Sequence, residues 1–190
     1  MKLDRILPFA RKLLMQAITD GDIVVDATTG NGHDTLYLTE LVGETGHVYG
    51  FDIQEEAVKS TTARLKEHHF LNRATIVQKS HDSLQSEIPV SHQNKITAAI
   101  FNLGYLPGGN KEIVTKPETT IAAIEQLLKV MVPEGIIVLV IYHGHEEGAL
   151  ERDVLLDYVT KLDQQKAHVL NYRFLNQANN PPFIIAIEKR

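Results

Sequence analysis

The sequence predicts a single α/β domain spanning residues 1–190, a doubly wound sheet of seven strands, mostly parallel, with one antiparallel strand near its C-terminal end. Three observations carry this. Short β-branched runs alternate with stretches of helical period along almost the whole chain. The first run, residues 23–26, is continuously apolar up to its last residue, as a strand covered on both faces requires. The last two runs are joined by only residues 176–182, too few for a crossover helix, so they must pair antiparallel.

An amphipathic helix is expected over residues 4–18, with Ile6, Phe9, Ala10, Leu13, Leu14 and Ala17 on one face. It makes residues 1–20 an N-terminal segment packed on the sheet. Gly21-Asp22 ends it. After strand 23–26 come a Gly-rich loop and a helix from 33 to about 42. Residues 47–53 form the second strand, and residues 54–68 a helix carrying Ala57, Val58, Thr61 and Leu65 at helical spacing. Strands at 74–78 and 97–103 flank a polar stretch containing Pro89. A Gly-rich loop, 104–115, leads to a helix over 117–132 whose Ile121, Ile124, Leu128 and Met131 face inward; proline suits its first turn. Pro133-Glu134-Gly135 turns into strand 136–142, a helix over 146–162 buries Leu155, Val159 and Leu162, and strands 167–175 and 183–189 close the chain. Five βα units followed by an antiparallel pair resemble the element order of Rossmann-like class I methyltransferases. Such sheets bind ligands beyond the carboxyl ends of the strands, where strand order reverses.

The composition is that of a soluble globular domain, with 43% apolar and 23% charged residues. The chain has no cysteine, which excludes disulfides, thiolate metal sites and cysteine nucleophiles. No apolar run approaches the roughly 20 residues that span a bilayer, and the first residues lack a secretory signal core, so no membrane is expected and the cytoplasm is. A net charge of −5 argues against a general nucleic-acid binder. It does not exclude a small RNA element, which needs only a local basic face. Lys2, Arg5, Arg11 and Lys12 cluster near the N-terminus, and Lys111 and Lys116 lie in the central loop; all could equally be solvated surface charges. The sequence leaves a homodimer open.

The candidate cofactor loop is Asp26-Ala-Thr28-Thr-Gly30-Asn31-Gly32-His-Asp34-Thr35. Its two glycines allow a ligand to lie on the main chain. The spacing begins a dinucleotide fingerprint, yet Thr35 replaces the third glycine. Asp26 suits a cationic amino-acid group better than a pyrophosphate, and Asp34 at the helix start would repel phosphate. Either acid could instead be a cap or turn residue. Asp52 closes the second strand, 20 residues beyond Gly32, where a carboxylate accepts from ribose hydroxyls, with Ile53 and Gln54 beside it. Ser80 and His81 end the third strand, where adenine contacts belong.

The opposite wall is Asn102-Leu103-Gly104-Tyr105-Leu106-Pro107-Gly108-Gly109. Methyl transfer is an in-line displacement, so an enzyme mainly aligns a neutral nucleophile and leaves its lone pair free. The Asn102 amide oxygen and the Leu103 carbonyl could hold the N–H groups of an amine, and Tyr105 could stack on the base that bears it. This order resembles the Asn/Asp-Pro-Pro-Tyr wall of amino-methyltransferases, with Leu-Gly in place of Pro-Pro. A turn built on Asn102 remains the alternative. Tyr142, His143 and His145 follow the fifth strand at the same rim. The two histidines precede a helix rather than share one of its faces, which argues for a substrate-facing loop or a plain helix start over a metal site. Asn179, in the 176–182 connection, approaches this rim or turns in solvent.

Together, residues 26–35, Ser80-His81, residues 102–109, Tyr142-x-Gly-His145 and Gln177-x-Asn179-x-Pro-Pro182 resemble the small bacterial family labelled "putative rRNA methylase". That resemblance covers nearly the whole chain. It implies S-adenosylmethionine as cofactor, held by the Gly30 loop, Asp52 and His81, and a methyl-acceptor wall at residues 102–105. It also implies a tRNA partner, recognised at the anticodon stem-loop: the family is similar to the enzyme that methylates 5-aminomethyl-2-thiouridine at the wobble position. The residues alone support only a primary amine on a planar base, and leave rRNA or a small-molecule amine as alternatives.

Overall fold

The computed structural model describes residues 2–109 and 113–190; Lys111 lies outside the described residues. The elements run α1 (Ile6–Ala17), β1 (Ile23–Asp26), α2 (His33–Leu41), β2 (His47–Asp52), α3 (Glu55–Glu67), β3 (Ala74–Gln78), α4 (Leu84–Glu87), β4 (Ile96–Leu103), α5 (Pro117–Val130), β5 (Met131–Ile141), α6 (Glu146–Thr160), β6 (Ala167–Tyr172) and β7 (Phe183–Lys189). One seven-stranded sheet has the order β3-β2-β1-β4-β5-β7-β6. β1 to β5 are mutually parallel, and β7 lies antiparallel between β5 and β6. The expected fold class is therefore the observed one.

Strand alternation builds two cores from one sheet. On one face Val25, Phe101, Leu139 and Ile185 pack with Leu84, Ile124, Leu127 and Leu155 from α4, α5 and α6. On the other, Val24, Ile100, Val140 and Ile184 pack with Ile6, Ala10, Leu14, Leu38 and Val42 from the α1 and α2 side. Neighbouring residues of one strand serve opposite layers, which is why the central strands read as unbroken apolar runs. The strand order reverses between β1 and β4. Their carboxyl ends, Asp26 and Leu103, open the crevice in which such sheets bind ligands.

Three local details go beyond or change what the sequence predicts. The turn expected at residues 133–135 is instead a bulge inside β5: Ile96 pairs Met131 but Ala98 already pairs Ile136, and Glu134 carries a positive φ of 65°. The extra residues are absorbed without ending the strand. The polar stretch 79–95 carries helical turns of its own. It holds a 3₁₀ turn (His81–Ser83) and α4, which buries Leu84, with Ile88 buried just after it. On α5 the inward face is centred on Thr120, Ala123, Ile124 and Leu127, with Ile121 and Leu128 at its margin.

Candidate active site

Two cavities meet over the β1–β4 crevice. The larger, about 1030 Å³, lies between α1, the Gly30 loop and the β5–α6 rim; the smaller, about 300 Å³, lies between the ends of β2 and β3 and the loop after β4. Both are bounded by Thr28, Gly30, Asn102, Gly104, Tyr105 and Pro107. The end of β4 is thus a partition between two compartments rather than the wall of one.

The smaller compartment collects Asp52, Ile53, Gln54, Ser80 and His81, all expected there. Asp52 accepts from the backbone N–H of Gly30 and of Gln54, each at 3.0 Å, so it holds the Gly-rich loop to the end of β2. A carboxylate has about four acceptor sites, and two remain for hydroxyl donors. His81 is buried. Its Nδ1 donates to the Ala27 carbonyl at 3.1 Å, while Nε2 is buried and has no partner among the described residues. Burial holds the imidazole below its usual pKa against the opposing pull of that carbonyl, so Nε2 is an acceptor awaiting a donor.

The Gly-rich loop is shaped by α3 as much as by its own glycines. Thr61 donates to the Gly30 carbonyl at 3.1 Å and Arg64 Nε to the Asn31 carbonyl at 2.8 Å. Gly32 has φ +77°, and a Cβ there would stand 2.8 Å from Thr61 Cα. Its missing side chain lets α3 pack against the loop, and it lines neither cavity. Gly30, with φ +50°, does line both. Asn31 Nδ2 reaches across the mouth to the Pro107 carbonyl at 3.3 Å.

Asp26 is not brought to either cavity. It is fully buried, accepting from Thr35 Oγ1 at 2.6 Å and from the Thr28 N–H at 3.2 Å, and Thr35 is equally buried. These two brace the foot of the loop and line neither cavity. Burial, then the negative charge of Asp34, pushes the Asp26 carboxyl up to about 7 from an ordinary 3.8, with Thr35 and Thr28 opposing. The folded state therefore binds a proton that the unfolded chain has released, and this group's stabilisation falls as pH rises from about 4 through about 7. The expected result is a melting temperature that declines between pH 5 and pH 8, and a shallower decline in Asp26→Asn; differential scanning fluorimetry across that range checks it, and parallel slopes would contradict it.

At the acceptor wall Asn102 lines both cavities, but Leu103 does not reach them. The Leu103 carbonyl accepts from the Tyr142 N–H at 3.0 Å, one more rung beyond the β4–β5 ladder, and the residue is 1% exposed. The side chain of Asn102 is left as the wall's acceptor. Its backbone N–H donates to Thr28 Oγ1 at 2.7 Å, and its Nδ2 donates to Asp34 at 2.9 Å. Tyr105 is 38% exposed, its ring edge-on to His145 at 5.4 Å. Gly108, with φ +84°, lines neither cavity.

Along the rim, Tyr142, His143 and His145 all border the larger cavity. Both His143 nitrogens are engaged: Nε2 donates to the Pro181 carbonyl at 3.0 Å, and Nδ1 accepts from Arg152 at 3.3 Å. His143 thus ties the 176–182 connection to the rim. His145 Nε2 is buried without a partner among the described residues. Asn180, rather than Asn179, reaches the cavity. Among the described residues no three His, Asp or Glu side chains are grouped to hold a metal ion.

Two of the contributions that sequence reasoning missed come from α1 and α6. Leu7, Pro8, Ala10 and Arg11 of α1 form one side of the larger cavity; of the four only Ala10 is buried against the sheet, and Leu7, Pro8 and Arg11 are exposed. Glu151 is 2% exposed and accepts from Thr115 and from Thr120; Thr115 Oγ1 in turn accepts from the Gly104 N–H at 3.0 Å. Burial raises the Glu151 carboxyl above its ordinary range, against those two donors. The signal was its spacing: Glu151 stands four residues before Leu155 and eight before Val159, an acid in the buried register of α6.

Comparisons with known proteins bear on the fold and the family. A chloroplastic tRNA (mnm(5)s(2)U34)-methyltransferase of Arabidopsis thaliana is 34% identical over 92% of this chain, which spans 66% of that relative's length. The crystal structure of a "putative rRNA-methylase" of Clostridium thermocellum superposes over 100% of both chains with TM-score 0.96 and 39% identity. A "putative methyltransferase" of Streptococcus mutans, solved in complex with SAH, matches 99% of both chains with TM-score 0.89 and 35% identity. The fold is thus the Rossmann-like methyltransferase fold that the element order implied. The family model described as "Putative rRNA methylase" matches residues 48–188, from β2 through nearly all of β7, and the chain belongs to that family.

Proposed function

We propose that the chain is an S-adenosylmethionine-dependent N-methyltransferase that converts the 5-aminomethyl group of a wobble uridine or 2-thiouridine in tRNA to 5-methylaminomethyl. The observation that carries this is the shared partition: a compartment with a carboxylate and an unpartnered buried imidazole nitrogen meets a wider one across Asn102. The smaller compartment fits an adenosyl group. Asp52 has acceptor sites left for ribose hydroxyls, His81 Nε2 can accept from an exocyclic amine, and Gly30 gives close access to backbone. When bound, the cofactor supplies an electrophilic methyl group on a sulfonium.

The chain's own residues do the rest. Asn102 Oδ1 accepts an N–H of the substrate amine and turns its lone pair toward the partition. Tyr105, exposed and edge-on to His145, offers a face for the base. The larger cavity is wide enough for a splayed nucleotide, with Leu7 and Pro8 as an apolar side. No strong base is required, because a neutral amine attacks and the proton leaves afterwards to water. The name of the Arabidopsis thaliana relative supports a wobble uridine as the acceptor, and the family model leaves the kind of RNA to experiment. Cytoplasmic action on the anticodon stem-loop belongs to this reading; among the described residues no helix is long and apolar enough to cross a membrane.

Salt dependence tests the macromolecular substrate. With three or more phosphate contacts, binding of tRNA that carries the unmethylated aminomethyl group should weaken roughly tenfold or more between about 50 and about 200 mM salt. Affinity that is flat across that range would favour a small amine instead.

A further inference from the structure

An asparagine that must accept from an amine has a wrong orientation as well as a right one. Flipped by 180° about its last torsion, Asn102 would aim an N–H at the nucleophile's lone pair and hold it away from the methyl group. The backbone does not decide between the two: Asn102 is fixed by its rung opposite Val140 and by its N–H bond to Thr28 whichever way the amide turns.

Asp34 decides it. It stands in the first turn of α2, and its Oδ2 accepts from Asn102 Nδ2 at 2.9 Å. An ionised carboxylate only accepts, so the flipped amide would set oxygen against oxygen. Asp34 is itself held from the far side. Its Oδ1 lies 3.5 Å from an Arg11 nitrogen, and the Arg11 guanidinium rests 4.8 Å over the Tyr37 ring. Among the described residues no donor reaches Asn102 Oδ1, so the free acceptor is the atom the chemistry needs. Asp34 and Arg11 line the larger cavity and not the smaller one that holds Asp52 and His81.

We propose that Asp34 is a positioning residue of the acceptor wall, not a cofactor ligand: supported by Arg11, it locks the Asn102 amide with its oxygen toward the substrate amine. This rests on the proposed N-methyl transfer for its purpose, though not for its geometry.

The test uses the ¹⁵N-labelled full chain and its Asp34→Ala and Asp34→Asn variants. The Asn102 side-chain amide pair, identified by its loss in Asn102→Ala, should show one proton shifted downfield in the wild-type chain and in Asp34→Asn, whose own amide oxygen can still accept. The shift should vanish in Asp34→Ala. With modified tRNA as substrate, Asp34→Ala should lower kcat by about 30- to 100-fold, the scale of a misaligned reactant. Its SAH affinity by calorimetry should stay within about threefold, and Asp34→Asn should recover about tenfold of the lost rate. If Asp34→Ala does not fold, the spectrum, SAH affinity and rate of Asp34→Asn decide alone. An Asn102 pair indifferent to Asp34, or SAH binding weakened tenfold or more with kcat retained at saturation, overturns the proposal. A wild-type chain that leaves tRNA unmethylated would refute the substrate reading instead, and the amide signals would still decide the lock.

Discussion

Replacing Asn102 by alanine is expected to lower kcat by about 100-fold or more while leaving SAH affinity within about threefold. The Asn102 side-chain oxygen is an acceptor that no donor reaches among the described residues. Leu103, which might have shared the work, is buried with its carbonyl bonded to Tyr142. Losing a group that orients the nucleophile costs roughly 2.7 kcal/mol when the loss is a hundredfold. The structural cost should be small, because the bond that anchors this residue to the Gly-rich loop is made by its backbone N–H. Single-turnover methylation with saturating cofactor, read beside calorimetric SAH binding and a thermal melt, separates the outcomes. An equal loss of binding and turnover would make Asn102 a turn residue.

The second large effect is expected at Asp52. Asp52→Ala should weaken SAH binding by about 10- to 100-fold, the scale of one or two hydrogen bonds to a charged acceptor. It should also loosen the loop, since the Gly30 and Gln54 N–H groups lose their shared carboxylate. Asp52→Asn keeps one acceptor oxygen and should fall between the two. Titration calorimetry measures this directly, and an unchanged dissociation constant would remove the ribose site from Asp52.

What could be read in the sequence follows from what one dimension records. Strand and helix periods, the left-handed demand of a glycine, and an acid at a strand end are local facts. The seven elements of the sheet, the Gly30 loop and Asp52 were accordingly legible. Roles that depend on a neighbour across the fold were not. Asp26 looked like a ligand because a strand end faces the crevice, yet Thr35, nine residues on, turns back and claims it. The Leu103 carbonyl looked free until β5 supplied Tyr142 as its donor. Gly32 reads as a place for a ligand, and the close approach of Thr61 from α3, a second demand on the same glycine, has no sign in the local sequence. Glu151 was passed over because an acid within a helix reads as solvated; its buried neighbours one turn on said otherwise. The part of α1 that borders the cavity left only a faint sign: Leu7, an apolar residue outside the face that packs on the sheet, is 47% exposed and lines the cavity.

The central claim is methyl transfer to the aminomethyl group of a wobble uridine, and nucleoside mass spectrometry of total tRNA from a strain lacking this chain tests it most directly. The account predicts that 5-aminomethyl-2-thiouridine accumulates and its N-methylated form disappears, with restoration by the wild-type chain but not by Asn102→Ala. An unchanged tRNA profile would contradict it and move the search for the acceptor to rRNA and small amines.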